Sequence, residues 1–164
     1  MTKPALLGGA PVRTAPWPTY RTIGEEEKRR VMRVLDSGVL SRYIGAWGED
    51  FWGGEEVRAF EAAARNHFKV AHALAVNSAT SALYAAVGAA GVGPGDEVIV
   101  SPYTMSASAT AAVVWGGVPV FADLEPETFC LDPESIRARI TPKTKAIIAV
   151  DLFGHPADFK AIMA

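Results

Sequence analysis

The sequence predicts an α/β protein, a three-layer α/β/α sandwich built on a mostly parallel sheet. Three observations carry that expectation. Short apolar runs lie at Ala73–Asn77, Glu97–Ser101, Val118–Ala122 and Lys145–Val150, the length and composition of strands buried on both faces. Helical segments separate each run from the next, and parallel strands need such crossovers. The chain has 164 residues, 49% of them hydrophobic, enough for a core without disulfide or metal staples.

The elements follow in order. Residues 1–24 hold four prolines and little periodicity, and they read as an extended arm. Residues 25–70 form a second segment. Its first helix spans Gly24 to Gly38, with acids in the first turn, bases in the next, and Glu25/Arg29 and Glu26/Arg30 spaced for i,i+4 pairs. Val31, Val34 and Leu35 make a short apolar stripe, and Gly38 is the stop. Residues 39–54 pack aromatics among glycines without a period, a loop anchored to a core or held for a partner or ligand. A second helix covers Glu55 to Phe68. From residue 71 to 164 the units alternate: the strand at Ala73–Asn77, a helix over Ser78–Ala90, the strand at Glu97–Ser101, and a helix over Met105–Trp115. The strand at Val118–Ala122, a helix over Pro133–Ile140 and the strand at Lys145–Val150 complete them. The last residues, from Asp158 to Ala164, open another helix, so the chain is expected to be part of a larger domain.

Composition excludes several classes of function. Sixteen basic and 18 acidic residues give a net charge of −2, without the basic excess of a nucleic-acid or anionic-membrane surface. A single cysteine, Cys130, rules out an internal disulfide and a multi-thiolate metal site within one chain, and it points to a reducing, cytoplasmic setting. His67, His72 and His155 have no metal-ligand spacing, so no metal site is expected. No stretch has the pattern of a signal peptide or a membrane-spanning helix.

In an open α/β sheet, ligands sit beyond the carboxyl ends of the strands. Two turns there draw notice. Val76-Asn77-Ser78-Ala79-Thr80-Ser81 runs from strand to helix through small and hydroxylated residues. Ser78 serves as N-cap, and the amides of Ala79, Thr80 and Ser81 face outward at the positive end of the helix dipole, an anion site suited to phosphate. A plain N-cap without a ligand has the same sequence. Further on, Ser101-Pro-Tyr-Thr-Met105 places Tyr103 or Met105 where either lies over a flat ring or simply packs. Gly91-Val-Gly-Pro-Gly-Asp96 ends a helix and precedes a strand, the reverse of a dinucleotide fingerprint, and reads as a turn. Asp123 and Asp151 follow strands, where each meets a cofactor or caps the next element.

Taken together, these features resemble the DegT/DnrJ/StrS aminotransferases, pyridoxal-phosphate enzymes that aminate keto sugars and cyclitols. The resemblance rests on Glu25-Glu-Glu with Val34-Leu-Asp-Ser-Gly38, Asn77-Ser-Ala-Thr-Ser-Ala-Leu83, Gly93-Pro-Gly-Asp-Glu-Val-Ile-Val100 and Pro119-Val-Phe-Ala-Asp123. Ile140-Thr-Pro-Lys-Thr-Lys-Ala-Ile-Ile148 and Asp151-Leu-Phe-Gly-His-Pro-Ala-Asp158 complete it, in the family's order. It implies the amino-terminal part of a fold-type I large domain, with pyridoxal 5′-phosphate as cofactor. It places the cofactor phosphate on Ala79 and Thr80, and it puts Met105 where the family has an aromatic ring over the pyridine. It further implies a homodimer with shared sites, an amino-acid donor, and a role for the long loop Ser41–Gly54 at a neighbouring subunit's site. The family's aspartate for the pyridine nitrogen and its Schiff-base lysine match no residue here, so the chain is expected to hold no catalytic residue and to be inactive alone. The alternative is a catalytically silent module that pairs with a complete subunit. A mononucleotide-binding α/β domain is the third reading, and dehydration is the alternative chemistry within the family.

Overall fold

The computed structural model describes residues 3–164. Two compact units divide the chain between Ala73 and Leu74.

In the first unit, residues 3–24 are largely irregular, with one 3₁₀ turn at Ala5–Leu7. Helix α1 spans Glu25–Asp36 and α2 spans Glu55–Phe68, with a 3₁₀ turn at Glu49–Trp52 between them. Glu27 closes the start of α1: its Oε2 accepts from the Gly24 amide at 2.7 Å. That bond from the Gly24 amide also holds the Glu27 carboxyl below its ordinary pKa. Gly38 ends the helix with φ 68°, a left-handed conformation that glycine adopts without steric penalty. The charged face pairs as its spacing suggests at Glu26–Arg30 (3.0 Å), whereas Glu25 pairs with Lys28 and Arg29 with Glu26, both one turn apart. Glu56 at the start of α2 joins the helices by accepting from Arg33 and from Arg30, the latter at 2.9 Å. The apolar stripe is only partly covered: Val34 is partly buried, whereas Val31 and Leu35 are more than half exposed.

The second unit contains strands β1 (Glu97–Val100), β2 (Val118–Phe121) and β3 (Thr144–Ile148), all parallel, in the order β2-β1-β3. Central β1 is fully buried at Val98, Ile99 and Val100. Its side chains alternate between two faces. Val98 and Val100 pack with Val87 of α3 (Ala79–Ala89) and with Ala111 and Ala112 of α4 (Ala107–Val114). Ile99 packs on the other side with Ala122, Leu131 and Ile136, the last from α5 (Pro133–Arg139), and Ile162 of the single-turn helix α6 (Phe159–Ile162) joins them. The three layers of the predicted sandwich are therefore present.

One predicted element is corrected. Residues 73–77 form no strand. The chain alternates there as an extended segment does, with Ala73 and Ala75 partly buried and Leu74 and Val76 exposed. A strand also requires a ladder, and the described sheet ends at β2 and β3 without including this segment. The Gly91–Asp96 stretch is the expected turn: Gly91 and Gly95 have φ of 78° and 86°, and Asp96 Oδ2 accepts from the Gly93 amide at 2.9 Å.

Helices α3 and α4 meet at an indole. Trp115 Nε1 donates to the Tyr84 carbonyl at 2.8 Å, and its ring occupies the space that a Cβ on Gly88 would take. Helices α3 and α4 pack side by side, and because Trp115 follows the end of α4 and meets the later half of α3, the two run in the same direction.

Two outcomes follow. Gly88→Ala drives a methyl into the Trp115 ring, and the overpacking outweighs the gain in helix propensity, with a loss of about 1–3 kcal/mol in chemical denaturation. Hydrogen bonds from Arg33 and then Arg30 hold the Glu56 carboxyl below its ordinary pKa. A depressed carboxylate stabilises the fold above its unfolded pKa, and that contribution is lost as pH falls through the folded one. Circular dichroism melts below about pH 5 therefore show the first unit weakening, and Glu56→Gln makes the pH dependence shallower.

Candidate functional site

The turn into α3 is built from its own side chains. Ser78, extended at φ −162°, is the N-cap, and its Oγ accepts from the Ser81 amide at 3.1 Å. Ser81 Oγ donates to Asn77 Oδ1 at 2.6 Å, and the Ala82 amide opens the helical ladder on the Ser78 carbonyl at 3.1 Å. This corrects the expectation of three outward amides, because the cap takes the Ser81 amide. The amides of Ala79 and Thr80 donate to no acceptor among the described residues, with Ala79 exposed and Thr80 half-buried. They stand at the positive end of an 11-residue helix.

Since α3 and α4 run in the same direction and α4 begins beyond β1, both amino ends lie at the carboxyl edge of the sheet. The loop between β1 and α4 is braced by Ser101, 4% exposed, whose Oγ accepts from the Tyr103 amide at 3.0 Å. Met105 precedes α4 instead of opening it. Its carbonyl accepts from the Ser108 amide at 3.0 Å, and its side chain is 77% exposed. Tyr103 packs against Phe129, with ring centroids 5.8 Å apart, and against Phe153 at 6.4 Å.

The acidic candidates act locally. Asp151 Oδ1 accepts from the Ala157 amide at 2.9 Å, bracing the loop after β3. The Asp123 amide donates to Ser135 Oγ at 2.8 Å, and its carboxylate lies 3.9 Å from Arg139. Cys130 is buried, and its Sγ donates to the His155 carbonyl at 3.4 Å. Among the described residues no three His, Cys, Asp or Glu side chains form a metal-binding group, and no helix is long and apolar enough to cross a membrane. In the first unit, Trp47 stacks on Phe51 at 4.5 Å, and Phe51 meets Trp52 edge-on at 5.1 Å. A cavity of about 370 Å³ in that unit, lined in part by Arg33, Val39, Tyr43 and Glu56, contains none of the predicted cofactor residues. Sequence reading passed over Phe129 and Phe153. Their one local signal is an aromatic side chain shortly after a core strand, next to a glycine in the case of Phe153.

The fold is that of the pyridoxal-phosphate-dependent transferases, fold-type I, as the solved structures it matches show. The chain belongs to the DegT/DnrJ/EryC1/StrS aminotransferase family, whose model matches residues 21–164. It is 39% identical over 163 residues to an L-glutamine:2-deoxy-scyllo-inosose aminotransferase of Streptomyces lividus, covering 98% of this chain and 37% of the relative. The crystal structure of 3-amino-5-hydroxybenzoic acid synthase matches with a TM-score of 0.80 at 38% identity, over 90% of this chain and 36% of that one. The PLP form of a putative sugar aminotransferase from Streptococcus pneumoniae matches with a TM-score of 0.76 at 32% identity, over 86% and 33%. The chain thus spans about a third of the length of the relatives it matches.

The cap itself is testable. Ser78→Ala releases the Ser81 amide and lowers stability by about 0.5–2 kcal/mol in denaturant titration.

Proposed function

We propose that this chain is the phosphate-holding, amino-terminal part of the large domain of a pyridoxal-phosphate-dependent aminotransferase that moves an amino group from an amino acid to a keto sugar or keto cyclitol. The observation that carries the reading is the pair of unpaired amides at Ala79 and Thr80. A phosphate dianion fits that turn. Two main-chain donors and the dipole of α3 face one point, and the small Ala79 side chain leaves the approach open. Each charge-assisted bond contributes about 1.5–3 kcal/mol.

The residues divide the work. Ala79 and Thr80 bind the phosphate, Ser78 holds the turn, and Met105 offers a polarisable thioether to one face of the cofactor ring. Pyridoxal 5′-phosphate, when bound, supplies the electron sink for transfer of the amino group. The chemistry also needs an amine as general base and a carboxylate at the pyridine nitrogen. No residue of this chain is assigned either role, and the chain alone is proposed to be inactive. We further propose a cytoplasmic enzyme whose site is shared in a homodimer.

The exposed aromatic turn, with Trp47 83% exposed, favours a second reading: a silent module that offers this turn to a complete subunit. Co-purification with such a subunit, lost in Trp47→Ala, separates the two.

The deciding experiment uses the complete protein that carries this chain, with glutamine as donor and 2-deoxy-scyllo-inosose as ketone probe. A borohydride-reducible cofactor absorption band together with amino transfer is expected, and absence of the band overturns the assignment. A sharper test is Ala79→Pro. Proline is well tolerated at the first helical position and replaces the N–H with a ring methylene, removing the donor and crowding its approach. Cofactor affinity is expected to fall about 10- to 100-fold in an absorbance titration while helix content stays unchanged.

A further inference from the structure

Three aromatic side chains from three loops meet at the carboxyl edge of the sheet. Tyr103 follows β1, Phe129 follows β2 and Phe153 follows β3, with centroid separations of 5.8 Å from Tyr103 to Phe129 and 6.4 Å from Tyr103 to Phe153. Their exposures are 52%, 45% and 80%, so the cluster opens to solvent instead of filling the core. The backbone makes the arrangement unusual. Phe129 and Phe153 have φ of 60° and 54°, the left-handed region that bulky side chains rarely enter.

Such a conformation persists only where surrounding structure over-determines it. Both loops are braced. Phe129 sits in a tight turn in which its amide donates to the Glu125 carbonyl at 2.9 Å and the Glu125 amide donates to the Cys130 carbonyl at 3.0 Å. The isolated bridge between Leu124 and Leu131 closes that turn. Cys130 Sγ ties it to the loop after β3 through the His155 carbonyl, and Asp151 ties that loop to the Ala157 amide. Burial does not offset the unfavourable backbone at Phe153, whose ring remains largely in water. What the bracing achieves is presentation of ring faces at the sheet edge that also carries the amides of Ala79 and Thr80.

We propose that Tyr103, Phe129 and Phe153 form an aromatic wall that selects the acceptor, seating the C–H face of a saturated six-membered ketone beside the phosphate-binding turn. The proposal rests on the aminotransferase reading above and names specificity-determining residues for it. The rings lie beyond the carboxyl ends of the strands, where α/β sheets receive ligands. They add apolar contact that an open-chain ketone or keto acid fills poorly.

The test uses the complete protein loaded with pyridoxamine 5′-phosphate, the form that gives its amino group to a ketone, and compares wild type with Phe153→Gly, Phe129→Gly and Phe153→Tyr. The melting temperature, the cofactor affinity by absorbance and the Kd of 2-deoxy-scyllo-inosose by calorimetry are measured for each. The glycine variants relieve the left-handed backbone and remove a ring. They are expected to keep or raise the melting temperature, to hold cofactor affinity within about twofold, and to weaken the ketone at least tenfold, with Phe153→Tyr near wild type. A melting temperature lowered by several degrees in Phe153→Gly means that the ring packs against the rest of the protein, and it overturns the wall. So does an unchanged ketone Kd, or a wild type that loads cofactor but does not bind the ketone. A wild type that fails to load cofactor overturns the aminotransferase reading itself, and this inference with it.

Discussion

Val98, Ile99 and Val100 have no surface in water, and the arrangement of the second unit follows from covering that one strand on both sides. Fully burying a side chain of this size contributes about 1.5–3 kcal/mol. Alternation along β1 sends Val98 and Val100 towards α3 and α4 and Ile99 towards α5. Because β2 and β3 flank β1 in parallel, all three strands end at one edge, and the loops that follow them gather there. Helices α3 and α4 lie side by side with Trp115 joining their later ends, so the open turn at residues 79 and 80 lies towards the same edge as the start of α4. The place of the proposed site is a consequence of how the core is covered.

The phosphate site we propose uses main-chain donors where a surface lysine or arginine is the familiar alternative. A flexible cation loses side-chain entropy when it is held in place. The amides of Ala79 and Thr80 are already fixed by the helix, and Ser78 fixes the helix start by occupying the third amide. The cap therefore leaves two main-chain donors, Ala79 and Thr80, for the proposed site.

The first unit is organised differently. Glu56 connects α1 to α2 through two arginines, whereas Val31 and Leu35 remain open to solvent. Exposed ion pairs of this kind contribute little individually, and acid or salt weakens them. The aromatic turn around Trp47 is internally stacked and nevertheless exposed, the sort of surface that partners or ligands use.

Some of this was legible in the residues alone. Glu55–Phe68 is helical over its expected span, α1 begins at its acidic turn and stops at Gly38, and Ser78 caps α3. Each of these depends on hydrogen bonds or steric limits acting within about four residues, and local sequence determines such features. The family resemblance was equally local, a set of short motifs in fixed order. Other features required the tertiary structure. Ala73–Asn77 has a strand's composition but no place in the described ladder, because pairing depends on a neighbour far along the chain. Tyr103, Phe129 and Phe153 are separated by dozens of residues and meet only because three parallel strands end together. Sequence set the local geometry of caps, stops and helices; tertiary structure chose which distant side chains share an edge, since only packing of the sheet brings them within reach.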